Sequence, residues 1–319
     1  MATEKIKFNI KDMLINYNTY IIFILLLIVS SWLSEHFFTT GNISNLLLQQ
    51  SGPILVAVGM LFVILTGGID LSVGSVMAVG STVSAMLITD FDIHYIPAIV
   101  LAVLVGTAFG IFNGVLVAYV GMQGFVVTLA TMTIARGFAF VLTNGMPVKV
   151  EIGTLDTIAS KSNFFPLIIT AIVLVILFML IQKYTGWGRT VIAIGSNSTA
   201  VELAGIKTKK FRVSAYALSG TLAALAGTFI AARTSTGSAT VGEMQELDAI
   251  AACVIGGASL MGGKGFVLRA VIGALVLGLI GNVMNLMSIP SYPQDIIKGF
   301  IIIAAVILQI VSGKQERTV

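Results

Sequence analysis

Apolar residues in this chain gather into long runs. Between positions 18 and 312 there are ten such stretches: 18–34, 43–65, 72–89, 95–120, 124–143, 165–183, 211–232, 246–261, 267–287 and 293–312. A helix needs about 20 mostly apolar residues to cross a hydrocarbon layer of about 30 Å. A barrel wall would instead alternate apolar and polar positions over about ten residues. Runs such as PLIITAIVLVILFMLI at 166–181 show no such alternation. Only helices and closed barrels satisfy their backbone hydrogen bonds in lipid. The pattern therefore predicts an all-α, polytopic transmembrane helical bundle of about ten spans. Residues 18–312 form one membrane domain, flanked by a short segment 1–17 and a tail 313–319.

Composition agrees. Apolar residues make up 57% of 319 positions and charged residues only 10%, against roughly a quarter in a soluble domain. The net charge of +4 is topological and not a nucleic-acid signal, because Lys and Arg collect in the cytoplasmic loops of membrane proteins. The segment from Lys183 to Arg212, joining the sixth and seventh stretches, carries Lys183, Arg189, Lys207, Lys209, Lys210 and Arg212. Ten spans put it on the same side as Lys5, Lys7, Lys11, Lys264, Arg269, Lys314 and Arg317. The other side receives Lys149, Lys161 and Arg233, and most of the loop acids. Both termini are thus expected in the cytoplasm. The lysines before the first run suggest a signal peptide, but Trp32, Glu35 and His36 follow it where small residues would mark cleavage; a retained first span is expected. A single cysteine, Cys253, allows no intrachain disulfide or cysteine metal cluster.

Chemistry is sparse. No GxxxxGK[ST] phosphate loop occurs, so no ATP site is expected in this polypeptide. No HExxH is present, and His36 and His94 fall in loops without a nucleophile partner, so no catalytic residue is assigned. Polar groups inside the spans are costly and mark either interhelical bonding or a solute pathway. Asp70, Asn113, Asn144, Asn282 and Asn285 are the pathway or gate candidates, with Asp70 placed near a cytoplasmic end. Arg136 sits within the fifth span, and Glu246, Asp248, Asp295 and Lys298 gather near the outer ends of the eighth and tenth. Gly106, Gly110 and Gly114 lay a smooth stripe for close helix packing. A GGxxLxxG pattern occurs at 67–74 and again at 256–263, a weak internal echo, and its glycines form either tight turns between packed helices or part of a broken, gating helix. The inner loop 184–210 contains a short helical stretch, 199–205, which Asn197 or Ser198 can cap and Gly205 can end.

Five ordered motifs then carry a resemblance: ILTGGIDLSVGS at 64–75, LTNGMPV at 142–148, AIGSN…AGIK at 193–207, YALSGTLAALAG at 216–227 and ELDAIAACVIGGASLMGGKG at 246–265. Over residues 40–312 the chain resembles the permease subunit of bacterial ABC-type monosaccharide importers, the ribose, xylose, arabinose and galactose group. That resemblance implies a multi-pass protein of the bacterial cytoplasmic membrane that moves a ribose-like or other simple sugar by alternating access. It implies an ABC ATPase subunit as partner, using ATP and Mg that this chain does not bind, with no metal or cofactor here. It implies a soluble extracytoplasmic sugar-binding protein and a second permease chain, a homodimer in the membrane lipid, with no nucleic acid. The coupling helix would comprise Asn197, Ala200, Glu202, Leu203, Gly205 and Ile206. The chain departs from the family pattern there, with Thr199-Ala200-Val201 and Ala204-Gly205-Ile206 where paired alanines and Ser-Gly-Ile are expected. Glu151 and Glu243, in the outer loops, are the docking candidates for the binding protein. The alternative is an ion-coupled secondary transporter of small polar solutes, which would need buried carboxylates that this chain largely lacks.

Overall fold

A computed structural model describes residues 18–150 and 165–316. Eleven helices occur among them: α1 (Asn18–Leu33), α2 (Thr40–Leu65), α3 (Val73–Thr89), α4 (Tyr95–Val115), α5 (Gly124–Leu142), α6 (Phe165–Tyr184), α7 (Gly186–Leu203), α8 (Thr208–Thr234), α9 (Gln245–Ile255), α10 (Val267–Leu286) and α11 (Ser291–Glu316). A π-helical turn, Leu116–Val120, extends α4 until Gly121 adopts φ 82° and ends it. Each of the ten expected stretches holds one helix. Six are long and apolar enough to cross a membrane: α2, α4 with its extension, α5, α6, α8 and α10. The protein is an all-α, polytopic membrane protein.

Helix α8 is the axis of the bundle and packs on α2, α3 and α4. Its most apolar stretch is 72% buried, against 22% for the peripheral α6. Lipid is as apolar as leucine, so helices in it associate by close packing of small residues. The α8 sequence SGTLAALAG at 219–227 supplies such a surface. The glycine stripe of α4 meets it directly. A Cβ at Gly110 would lie 2.9 Å from Ala217 Cα, and one at Gly114 would lie 2.7 Å from Val213 Cα. Close packing is what the stripe does here.

Three features depart from the expected pattern. First, the eighth stretch, expected at 246–261, is the eleven-residue α9, about 16 Å long at 1.5 Å per residue and too short to cross. Gly257, at φ 80°, ends it, because a left-handed residue there lets the amides of Gly257 and Ala258 close onto the carbonyls of Val254 and Cys253. Second, the inner loop is largely helical: α7 fills it from Gly186 and kinks at Asn197 (φ −160°, ψ 93°). Third, a two-stranded antiparallel ribbon joins β1 (Val148–Lys149) to β2 (Thr236–Gly237) and so ties together two loops expected to be separate.

The two GGxxLxxG segments share a local geometry, one residue out of the register that the letters suggest. After α2 the left-handed residue is Gly67, whose amide bonds to Ile64 O while that of Gly68 bonds to Val63 O. Its counterpart after α9 is Gly257, the second glycine of its pair.

Candidate functional site

Between α2 and α3 the chain turns inside the bundle. Asp70 is 1% exposed. Its Oδ1 accepts from the Ser72 amide (3.0 Å) and the Ser72 hydroxyl (2.6 Å), and its Oδ2 accepts from the Ser219 hydroxyl of α8 (2.8 Å). Ser72 Oγ in turn accepts from Asn113 Nδ2 of α4 at 2.9 Å. The Ile69 carbonyl accepts from Thr128 of α5 (3.3 Å) and from the Tyr216 phenol of α8 (3.4 Å). One non-helical turn is thereby bonded to α4, α5 and α8. Ser219 lies eleven residues into the 27-residue α8, which places Asp70 about 16 Å from its start along a helix of about 40 Å. Asp70 is therefore buried within the bundle while lying, as the pattern suggests, just past the end of α2 and ahead of α3. Non-helical backbone at such depth survives only where protein covers it.

Of the five pathway candidates, Asp70 and Asn113 meet in this knot, bridged by Ser72. The other three lie apart from it. Asn282 exchanges two hydrogen bonds with Asn42 of α2, at 2.8 and 3.0 Å. Asn285 accepts from Gln294 of α11 at 2.8 Å. Asn144 is exposed on the turn after α5, at φ 49°.

At the ribbon end, the segment between β2 and α9 runs inward along α3. Gly237 packs against Ser81 and Ala85, and Gly242 and the Glu246 carboxylate lie against Gly74 in the first turn of α3. Arg136 of α5 satisfies this segment's backbone by donating from Nη1 to the carbonyls of Ala239 and Val241, the latter at 2.7 Å. Glu243 is exposed beside it; Glu151 lies outside the described residues. Of the acidic cluster, Asp248 pairs with Lys298 at 3.5 Å.

At the opposite, basic end, Asn197 Oδ1 accepts from the Ala200 amide at 3.0 Å and so caps the second half of α7. Gly205, at φ 81°, closes it, with its own amide on Glu202 O and that of Ile206 on Val201 O. Asn197, Ala200, Glu202, Leu203, Gly205 and Ile206 are all exposed, while Val201 points inward. The first half of α7 is fastened by Trp187, whose Nε1 donates to Ser214 Oγ at 2.8 Å and whose ring lies 5.1 Å from Phe62. Gln182 gave no sequence signal beyond being an amide in an apolar run. It is 6% exposed, donates to Gly265 O and accepts from Val267 N, both at 2.9 Å, and so closes the turn before α10.

A family profile described as branched-chain amino acid transport system / permease component matches residues 42–306. The chain is 40% identical to the ribose import permease protein RbsC of Haemophilus influenzae over 96% of its length and 97% of that protein's. It is 35% identical to the D-allose transport system permease protein AlsC of Escherichia coli, covering 96% of this chain and 95% of the other. It is 33% identical to the xylose transport system permease protein XylH of H. influenzae, covering 92% and 96%. No solved structure matches the chain.

Proposed function

The chain belongs to the permease family of bacterial ABC-type sugar importers, and from that premise we propose how it works and with what. It is the inner-membrane subunit that forms the translocation pathway of a binding-protein-dependent importer of ribose or another simple sugar. The near full-length likeness to ribose, allose and xylose permeases carries this reading. The ion-coupled alternative gains no support from those relatives.

In this reading the bundle makes ten passages with both termini in the cytoplasm, as the Lys/Arg asymmetry favours, and α9 serves as a passage only together with the turns around it. Two copies enclose the pathway. The exposed tip 197–206 seats in a groove of an ABC ATPase subunit, which supplies ATP, Mg and the power stroke. The ribbon end receives the sugar-binding protein, with Glu243 and Glu151 as its acidic contacts. Asp70 and Asn113 act on the gate through their bonded knot, and Asn144 lies at the outer mouth. Asn282 and Asn285 hold α10 to α2 and α11. Alternating access then requires two bundle arrangements separated by modest free energy.

The test is reconstitution in proteoliposomes with the ATPase subunit and the sugar-binding protein, followed by uptake of D-ribose and D-xylose. ATP-driven accumulation that stops with a non-hydrolysable analogue is expected. Accumulation against a gradient by the permease alone, without nucleotide or partners, would overturn the reading.

A further inference from the structure

The two glycine turns and α7, distant in sequence, meet backbone to backbone at the basic end. A Cβ on Gly195 of α7 would run into the Leu65 carbonyl oxygen at the end of α2 and into the Gly263 amide nitrogen. A Cβ on Gly262 would lie 2.9 Å from Gly67 N and 3.0 Å from Gly195 Cα. Gly263 stands in the same relation to Ser196, whose backbone nitrogen is 2.7 Å from its Cβ position. The Gly263 amide donates to the Leu65 carbonyl at 3.1 Å. Gly67, Gly262 and Gly263 all have positive φ, at 81°, 91° and 73°, a conformation that glycine adopts without steric cost. The repeated glycine pattern thus has a spatial counterpart: its two copies touch each other through Gly67 and Gly262, and Gly195 touches the second copy and the Leu65 carbonyl just ahead of the first.

We propose that this three-way contact passes displacement of α7 to the α2–α3 turn and the α9–α10 turn together, with Gly195 as the positioning residue. The proposal rests on the transport reading above. Close-packed backbone with no intervening side chain has little compliance, so a shift on one side is imposed on the others. The α2–α3 turn carries Asp70, and with it the bonds to α4, α5 and α8. The α9–α10 turn is held on its far side by Gln182. A movement entering at the exposed tip of α7 therefore reaches both broken segments of the bundle through one junction.

The experiment uses the permease assembled with its ATPase and sugar-binding protein in proteoliposomes, first shown to accumulate D-ribose or D-xylose with ATP. Failure of that step counts against the transport reading itself. In an importing system, Gly195→Ala is expected to keep ATP hydrolysis while sugar imported per ATP falls about tenfold or more. Unchanged import per ATP overturns the junction and leaves the transport reading intact.

Should the variant fail to assemble, spin labels decide the matter at exposed sites, with Cys253 left in place because it is fully buried. Labels go on Arg189→Cys with Met261→Cys, and on Arg189→Cys with Phe91→Cys. Between nucleotide-free and ATP-vanadate states, the 189–91 separation should change while the 189–261 separation holds within about 2 Å. A larger change in the 189–261 pair, or no change in either pair, overturns the proposal.

Discussion

A carboxylate buried in a membrane bundle needs either a counter-ion or several donors, and Asp70 takes the second course. Two of its three hydrogen bonds come from Ser72, two residues on, and the third from Ser219 across the bundle. Deleting one donor to a buried acceptor leaves that acceptor unsatisfied. Ser219→Ala should therefore lower stability by about 1–3 kcal/mol, seen as a reduced midpoint of thermal unfolding in detergent; an unchanged midpoint would show that water replaces the hydroxyl. Asp70 stood out in the sequence because a lone acid among apolar residues does so. Its partner across the bundle did not, because Ser219 is 149 positions away and serines are common in such helices. Gln182 was hidden for the same reason: its two bonds reach Gly265 and Val267, more than eighty residues on.

At the scale of elements, the sequence speaks most clearly where geometry is local. The spacing of Gly106, Gly110 and Gly114 announces a close helix contact because a helix repeats its face every three to four residues. That contact is with α8. Gly110→Ala would press a methyl against Ala217 Cα and the Tyr216 carbonyl, both backbone, and should cost about 1–3 kcal/mol of stability. Gly137 of α5 has nothing within 4 Å of its Cβ position. Gly137→Ala should be neutral or stabilising by up to about 1 kcal/mol from helix propensity. The pair, measured by the same unfolding assay, separates packing from propensity; equal effects would contradict the contact. The length of α9 was less legible. Its apolar run continues to 261, and only the left-handed turn at Gly257 shows where the helix stops. Glycine pairs permit such a turn without requiring it.

For the whole molecule, long apolar runs are a local signal, so the ten stretches could be read off as helices, six of them long and apolar enough to cross a membrane. Depth is a relation between segments, and no single segment records it. That is why the bond that sets Asp70 level with Ser219, about 16 Å up α8, has no sequence signal, and why the loops around 148 and 236 give no hint of their ribbon. The tip of α7 lies between these cases. Its cap at Asn197 and its stop at Gly205 are local and were legible. Its exposure is a property of the assembled bundle: Leu203, a large apolar side chain, is 85% exposed while Val201 beside it is buried. A single exposed leucine is ordinary on a protein surface. This one sits on a capped helix end exposed at the basic face, the arrangement that an apolar anchor entering a partner's groove requires. Leu203→Asp should then weaken association with the ATPase subunit by at least about tenfold, or 1.4 kcal/mol, in a co-purification titration, while the permease unfolds at an unchanged temperature. Equal affinity would detach the tip from the ATPase and move the search for that interface elsewhere on the basic face.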